Sequence, residues 1–249
     1  MQNIKELALE LHLAYIKENH QIIIDEATHT KMEYGKFLAM LLEKEIENRK
    51  ANSVKHRLKV AKFPYMRYLE DFDRNKYDMS FRKKFDELDT LEFIKNKEKI
   101  ILVGTPGAGK THYAIALGIK ACMLGKNVMF ASVPNLIIGI KEAMSLSSFN
   151  AYKRKFEKFD LVILDELGYV SFDKEGSEIL FNLLSNRNDK GSIIITTNLN
   201  FERWIEVFKD KVLTGVIVDR LAHKAHILDI SREESHRFEE TIAWLKSKE

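Results

Sequence analysis

The segment that most constrains the fold of this chain is Gly104-Thr-Pro-Gly-Ala-Gly-Lys-Thr111, which follows the apolar run 100–103 and opens a helical stretch over 111–124. Glycines allow a tight loop whose backbone N–H groups point inward at phosphate oxygens, and the positive end of the next helix strengthens that attraction. A chance glycine-rich turn is the alternative. The position between a strand and a helix favours a phosphate-binding P-loop.

This loop predicts how a nucleotide would be held. We expect Lys110 to reach the β- and γ-phosphates of ATP and the hydroxyl of Thr111 to ligate Mg²⁺. The residues expected to bind the nucleotide are Gly104, Thr105, Pro106, Gly107, Ala108, Gly109, Lys110, Thr111 and His112.

A P-loop of this kind needs a second, acidic element on a neighbouring strand. Residues 161–164 are apolar, and Asp165 and Glu166 follow them where a strand would leave a sheet. We expect Asp165 to hold a Mg²⁺-bound water and Glu166 to polarise the attacking water. Paired carboxylates at a strand end are otherwise ordinary surface charge. A small-molecule kinase would use its substrate's hydroxyl, so Glu166 favours ATP hydrolysis.

Three more side chains are candidates for a role at the phosphates. Asn198 closes the strand-like run 192–198 and would orient water if this strand lies between the first and the third, although asparagine is also a common turn former. Arg220 ends a helical stretch before the fifth strand, far from its own P-loop, which suits an arginine finger for a neighbour's site. A surface arginine paired with Asp219 is the alternative. Arg187, at another helix end, is a weaker candidate of the same kind.

The pattern of apolar residues along the chain changes near residue 98. Before it, apolar residues recur at helical spacing, and Thr30 and Glu33 are spaced as a capping box that would start one helix. The stripe of that helix consists of Tyr34, Phe37, Leu38, Leu41, Leu42 and Ile46. After residue 98, short β-rich runs alternate with helical stretches, which predicts an α/β domain with a parallel sheet covered on both faces. The β-rich runs are 100–103, 128–131, 161–164, 192–196 and 226–230.

Two basic segments are candidates for contact with DNA phosphates. Residues 49–69 contain no Asp or Glu, and aromatic residues are interleaved with the basic ones. A solvated helix face is the alternative for this segment. Binding through phosphates would depend strongly on salt and carry little base readout. The candidates are Lys55, Arg57, Lys59 and Lys62, with Arg49, Lys50 and Arg67 beside them, and a second cluster of Lys153, Arg154, Lys155 and Lys158.

The composition excludes collagen-like, mucin-like and wholly disordered proteins. The chain is 45% hydrophobic and 31% charged, and Lys plus Arg exceed Asp plus Glu by only three, 40 against 37, so a polyanionic partner has to be argued from local patches. The single Cys122 cannot form an internal disulfide and is expected in the core, and His223 and His226 lack further ligands for a metal. No apolar run is long enough to span a bilayer, and the first ten residues do not form a signal peptide, so we expect a cytoplasmic protein.

Several motifs together resemble the IstB family, the helper ATPases of bacterial insertion sequences, in the DnaA and DnaC branch of AAA+ proteins. In the α/β part these are the run 104–112, Asp160-Leu-Val-Ile-Leu-Asp-Glu-Leu-Gly-Tyr169, Ile194-Ile-Thr-Thr-Asn198 and Asp219-Arg-Leu-Ala-His223. The upstream matches are Tyr34-Gly-Lys-Phe-Leu-Ala-Met-Leu-Leu-Glu43, Ala61-Lys-Phe-Pro-Tyr65 and Leu69-Glu-Asp-Phe72. The resemblance covers nearly the whole chain.

This resemblance implies a P-loop AAA+ domain of three layers, with a five-stranded parallel sheet in the order 5-1-4-3-2. It also implies an ATP-dependent homo-oligomer that binds double-stranded target DNA and stimulates a partner transposase. We expect an all-α oligomerisation and DNA-binding domain at 1–75, a connecting segment at 76–98 and the ATPase domain at 99–249. The chain after the fifth strand is too short for a separate helical lid, so Arg232 or Arg237 is a candidate substitute for a second sensor arginine.

Two other functions compete with the transposition helper. The ATPase motifs are shared with DnaC-like helicase loaders, whose nucleic acid is single-stranded, and a P-loop small-molecule kinase would have no nucleic acid at all. Glu166, Asn198 and Arg220 together argue against the kinase. A comparison of duplex with single-strand binding, or a transposase gene immediately upstream, would separate helper from loader.

Overall fold

The computed structural model describes residues 3–169, 171–187 and 190–230. These residues fall into two compact units that divide between His56 and Arg57. The possible sensor arginines Arg232 and Arg237, and the expected absence of a lid, lie outside the described residues.

The N-terminal unit is helical, as its apolar spacing predicts. Its helices are α1 (Ile4–Glu10), α2 (Ala14–His29) and the greater part of α3 (Tyr34–Ala61). The predicted capping box is wrong, because Thr30 ends α2 and its hydroxyl donates to the carbonyl oxygen of Glu26. The Thr30 side chain is therefore hydrogen-bonded to α2 and does not cap the N-terminus of α3.

A glutamate on α3 caps α2 in this unit. Glu45 is buried, and its Oε2 accepts hydrogen bonds of 2.8 and 3.3 Å from the backbone N–H groups of Tyr15 and Ile16. A carboxylate at a helix N-terminus satisfies unpaired donors and complements the helix dipole. The apolar stripe of α3, in contrast, is largely uncovered, with Tyr34 91% and Leu38 58% exposed.

The second unit contains the predicted parallel sheet. Its strands are β1 (Lys99–Val103), β2 (Val128–Ser132), β3 (Leu161–Leu167), β4 (Ser192–Thr197) and β5 (Ala225–Asp229). They lie in the order β2-β3-β4-β1-β5, and every pairing is parallel. The fold class and the order 5-1-4-3-2 are thereby confirmed.

Helices cover both faces of this sheet, because successive residues of a buried strand point to opposite sides. On β1, Ile100 and Leu102 pack on one face and Ile101 and Val103 on the other. The first face carries α4 (Met79–Asp89), α5 (Glu92–Lys95) and α6 (Lys110–Met123). The other carries α7 (Val133–Ser145), α8 (Phe149–Glu157), α9 (Lys174–Arg187), α10 (Trp204–Phe208) and α11 (Lys211–Ala222).

The segment between the division and β1 packs as part of the α/β unit. Phe72, Tyr77, Phe85 and Leu88 are buried in one core with Ile100 of β1. The structural division therefore differs from the expected bounds of 75 and 98, since the polar residues of this segment alternate with aromatic ones that bury themselves on α6. None of the helices in the described ranges combines the length and the apolar character needed to cross a bilayer.

Candidate nucleotide site

The glycine-rich loop lies at the carboxyl end of β1 and leads directly into α6. Gly107 and Gly109 have positive φ angles of 88° and 85°, which glycine adopts without strain. The ammonium group of Lys110 is buried and donates hydrogen bonds of 2.7 and 2.8 Å to the carbonyl oxygens of Gly104 and Thr105. The cation is therefore held inside the loop by the loop's own backbone.

Two aromatic residues from the segment before β1 pack against this loop. A Cβ atom on Gly109 would lie 2.7 Å from Oη of Tyr77 and 3.0 Å from the ring of Phe72, so only glycine is accommodated there. The Tyr77 hydroxyl donates a 2.7 Å hydrogen bond to the carbonyl oxygen of Ala108. His112 also lies here, with Nε2 3.3 Å from the carbonyl oxygen of Tyr68.

The two residues predicted to bind Mg²⁺, Thr111 directly and Asp165 through a bound water, are in contact. The Thr111 hydroxyl donates a 2.8 Å hydrogen bond to Oδ1 of Asp165, which is buried at the end of β3. The same oxygen accepts a 2.5 Å hydrogen bond from the hydroxyl of Thr196 on β4. Thr196 does not figure among the sequence-predicted site residues.

Glu166 lies in an irregularity of the sheet. Leu164 pairs with Ile195 and Leu167 with Thr197, so β3 has one residue more than β4 across this interval. Glu166 takes up the extra residue in a left-handed conformation, with φ 64°, which is uncommon for a residue with a side chain. Its N–H donates to Oγ1 of Thr196 at 3.1 Å, and its side chain is exposed.

Asn198 follows β4 at the same edge of the sheet. Because β4 lies between β1 and β3, the condition for placing this residue near the phosphates is met. A Cβ on Gly168 would lie 3.3 Å from Oδ1 of Asn198, so the turn after β3 passes close to this amide. Within the described residues this oxygen is buried without a hydrogen-bond partner. A buried acceptor of this kind suits a site that receives a donor from a ligand.

A cavity of about 510 Å³ lies beside the loop and reaches Glu166 and Thr196, while Asp165 and Asn198 are not among the described residues that line it. The sequence analysis did not predict that residues 65–77 contribute to the wall of this cavity, because it assigned them to the DNA-binding domain or to the connecting segment. The sequence feature that could have indicated this role is the motif Leu69-Glu-Asp-Phe72 with its neighbouring aromatic residues. The lining residues are Tyr65, Arg67, Asp71, Phe72, Asp73, Lys76, Tyr77, Pro106, Gly107, Ala108, Gly109, Lys110, Thr111, His112, Glu166, Tyr169, Thr196 and Thr197.

These groups have the chemistry that ATP and Mg²⁺ require. Hydroxyl and carboxylate oxygens, here Thr111 and Asp165, are the ligands that Mg²⁺ prefers in proteins. The glycines let the loop backbone approach a phosphate closely, and Lys110 adds the positive charge. Oδ1 of Asn198, which follows β4 at the same edge of the sheet, is a further acceptor that has no hydrogen-bond partner in the described part of the chain.

Arg220 is placed away from this cavity. Two residues separate the end of α11 at Ala222 from the start of β5 at Ala225, and β5 begins opposite Lys99, at the other end of β1 from the loop. The exposed guanidinium lies 5.0 Å above the ring of Phe181. Arg220 therefore lies toward the amino ends of the strands, away from its own P-loop at the carboxyl end of β1.

Arg187 does not belong to the site, and its candidacy as a finger is wrong. The side chain is fully buried, and its guanidinium donates to the carbonyl oxygens of Phe156, Phe159 and Ser192 at 2.8, 2.6 and 3.2 Å. Burial lowers the pKa of Arg187 to about 10, which leaves it charged at neutral pH. This arginine ties α8 to the start of β4.

Most of the basic candidates for DNA contact are exposed. Lys55 and Lys59 lie four residues apart on α3, and Lys62 follows the end of this helix. Arg57 is half-buried. Arg67 differs from the others, because it lines the mouth of the nucleotide cavity with its guanidinium 5.4 Å from the ring of Tyr65. On α8, Arg154 and Lys155 are exposed and Lys153 is half-buried.

The structure also shows the environments of His226 and Cys122, which the sequence analysis considered as a metal ligand and as a core residue. His226 on β5 lies 2.8 Å from Oε2 of Glu98, which gives its ring a carboxylate partner. Cys122 is buried on α6, as expected, and burial raises its thiol pKa to about 11. A low-pKa, exposed thiol is what reactivity needs, so Cys122 is a packing residue.

Comparison with known sequences gives matches along nearly the whole chain. The model of the IstB-like ATP binding protein family matches residues 4–243. The ATP-binding protein of insertion sequence IS21 from Pseudomonas aeruginosa is 35% identical over 240 residues, which cover 96% of this chain and 90% of that relative. The ATP-binding protein of insertion sequence IS5376 from Geobacillus stearothermophilus is 33% identical over 239 residues, covering 96% and 95%.

Solved structures share the fold at much lower identity. The replication initiator DnaA bound to AMPPCP and single-stranded DNA superposes with a TM-score of 0.55 and 19% identity, covering 72% of this chain and 54% of that one. The match thus spans about half of the initiator. The DnaC helicase loader superposes with a TM-score of 0.51 and 19% identity, covering 71% of this chain and 99% of the loader. These likenesses show a P-loop AAA+ fold.

Proposed function

Because the chain belongs to the family of IstB-like ATP binding proteins, we propose that it is an ATP hydrolase that assembles on duplex DNA and stimulates the transposase of an insertion sequence. The observation that carries the hydrolase part is the meeting of Thr111, Asp165 and Glu166 at one edge of the sheet. A site that only bound ATP would not require a carboxylate beside the Mg²⁺ ligands.

Each residue of the site has a separate task in this proposal. Lys110 and the loop N–H groups hold the phosphates, and Thr111 and Asp165 hold the metal. Mg²⁺, when bound, neutralises negative charge on the phosphate oxygens. Glu166 accepts a proton from the attacking water, and Oδ1 of Asn198 orients that water by accepting a hydrogen bond from it.

Oligomerisation completes the site in this account. Arg220 lies at the opposite edge of the sheet from its own loop, so it serves the phosphates of a neighbouring subunit. The uncovered apolar stripe of α3, with Leu38 58% and Ile46 51% exposed, supports contact with a second copy. ATP and DNA together are expected to promote assembly, since each site is complete only when a neighbour docks.

The DNA part rests on the exposed basic residues. Lys55, Lys59 and Lys62 follow one another at the end of α3, and Arg154 and Lys155 form a second exposed group on α8. Contacts of this kind bind phosphates and carry little sequence information. Weak base readout is therefore expected, and the choice of duplex DNA as the partner comes from the resemblance to the family of insertion-sequence helpers.

A helicase loader is the second candidate, favoured by the structural likeness to DnaC. Binding to a duplex and to a single strand of equal length, with ATP present, separates the two functions. Tighter binding to the duplex supports the transposition helper, and a preference for the single strand supports the loader. The adjacent reading frame gives an independent test, because a transposase frame supports the helper and a helicase frame contradicts it.

A further inference from the structure

We propose that Thr196 is the positioning residue that holds Asp165 and Glu166 in their working arrangement. This inference rests on the proposed ATP hydrolysis and deepens it. Thr196 is 1% exposed and lies on β4 opposite the irregularity in β3. Its side chain is therefore directed at the two carboxylate-bearing residues from the neighbouring strand.

One hydroxyl makes both contacts, and it makes them in opposite senses. Oγ1 of Thr196 donates to Oδ1 of Asp165 at 2.5 Å and accepts from the N–H of Glu166 at 3.1 Å. The single hydroxyl proton goes to the carboxylate, so a lone pair remains for the backbone N–H. The two contacts thus share one hydroxyl without competing for its proton.

The contact with Glu166 bears on its unusual backbone. A φ of 64° is uncommon for a residue with a side chain, and the extra residue in β3 removes the N–H of Glu166 from the regular ladder with β4. The hydroxyl of Thr196 takes the place of the missing carbonyl acceptor. Without it a backbone donor would lose its partner, and the direction of the Glu166 side chain would no longer be fixed.

The contact with Asp165 bears on the metal. Oδ1 of Asp165 is held between the hydroxyls of Thr111 and Thr196, one from each neighbouring element. Groups that orient a metal-binding carboxylate typically change metal affinity or activity about 10–100-fold when removed. Thr196 is therefore expected to affect Mg²⁺ dependence and turnover together, and to leave metal-free nucleotide binding intact.

The test compares Thr196→Val, which keeps the shape and removes the hydroxyl, with Thr196→Ser, which keeps the hydroxyl. Ser192→Ala is the matched control, because Ser192 is a buried hydroxyl at the other end of β4 that donates to the carbonyl oxygen of Phe93 at 2.9 Å. Two quantities are measured for each variant. These are the Mg²⁺ concentration for half-maximal binding of a fluorescent ATP analogue, and the kcat of phosphate release.

For Thr196→Val we expect kcat to fall, and the Mg²⁺ requirement to rise, about 10-fold or more. Affinity for the analogue in EDTA should stay within about 2-fold of wild type, and Thr196→Ser and Ser192→Ala should behave as wild type in both measurements. Wild-type Mg²⁺ dependence in Thr196→Val overturns the proposal.

A raised Mg²⁺ requirement in the folded serine variant also overturns it, because the methyl group would then matter more than the hydroxyl. This result decides even if the valine variant fails to fold. A wild-type protein that releases no phosphate would contradict the proposed hydrolysis, while the Mg²⁺ titration would still test Thr196.

Discussion

The hydroxyl of Tyr77 donates a 2.7 Å hydrogen bond to the carbonyl oxygen of Ala108, in the middle of the glycine-rich loop. Phe72 stacks beside this tyrosine, with ring centroids 5.4 Å apart, and the Tyr77 hydroxyl and the Phe72 ring both leave no room for a Cβ atom on Gly109. The segment before β1 is therefore part of the wall of the nucleotide site. Its aromatic residues contact the loop at Ala108 and Gly109.

Replacing Tyr77 by phenylalanine should weaken nucleotide binding. The loss of one buried hydrogen bond costs about 1 kcal/mol, which for a chain of this size lowers Tm by about 2–4 °C. Because the lost contact is to the loop itself, we also expect affinity for ATP to fall about 3- to 10-fold. Thermal melting and titration of a fluorescent ATP analogue measure the two effects.

Tyr113→Phe is the matched control for this change. The Tyr113 hydroxyl is buried and donates to Oδ1 of Asp89 at 2.9 Å, away from the loop. It should lower Tm to a similar extent and leave nucleotide affinity unchanged. Equal affinities in the two variants would show that Tyr77 acts only on stability.

Arg220→Ala should abolish most ATP hydrolysis and leave ATP binding intact. An arginine that stabilises transition-state charge at the phosphates is worth on the order of 10³-fold in turnover. Mixing Arg220→Ala with Lys110→Ala should then restore some activity, because a subunit with a dead P-loop still lends its Arg220 to an intact neighbour. Phosphate release across mixing ratios measures this, and no recovery in oligomers shown to be mixed would exclude action between subunits.

Changing Lys55, Lys59 and Lys62 together to glutamine should reduce the salt dependence of duplex binding. Each phosphate contact releases about 0.9 counterion, so the slope of log K against log salt should flatten by up to about three. Unrelated duplexes should be weakened alike, and ATP hydrolysis without DNA should survive. Anisotropy across a salt series gives the slope.

A triple variant of the exposed lysines Lys36, Lys83 and Lys211 carries the same change in net charge and serves as the control. If the control flattens the slope as much as the test variant, the effect comes from overall charge. If the test variant keeps the wild-type slope, the DNA site lies elsewhere, and Lys153, Arg154 and Lys155 are the next group to change.

The sheet and the phosphate loop were predictable because their signals are local. An apolar run, a glycine-rich loop and a helix stand next to one another at 100–124, and backbone geometry fixes their arrangement. The contact between Thr111 and Asp165 was predictable for a similar reason. The strand that leads into the loop and the strand that carries Asp165 are parallel, so their carboxyl ends lie at one edge of the sheet. Confirmation of the strand order also placed Asn198 at that edge.

Arg187 shows where sequence reasoning could not succeed. An arginine at a helix end ordinarily reaches solvent, and here it is fully buried because three carbonyl oxygens from α8, its following turn and β4 surround its guanidinium. None of these acceptors is near it on the same helix. Thr196 was missed for a related reason, because in the sequence it is indistinguishable from the other buried residues of its strand. Only the irregularity in β3 brings Glu166 into contact with it.

The most direct test of the account is phosphate release by Glu166→Gln, measured beside its affinity for ATP. The variant keeps the loop, Lys110 and Asp165 and removes the group that accepts the proton, so it should bind ATP as wild type does and release phosphate on the order of 10² times more slowly. Lys110→Ala should lose nucleotide binding altogether. Wild-type turnover in Glu166→Gln would contradict the assignment of this site as an ATP hydrolase.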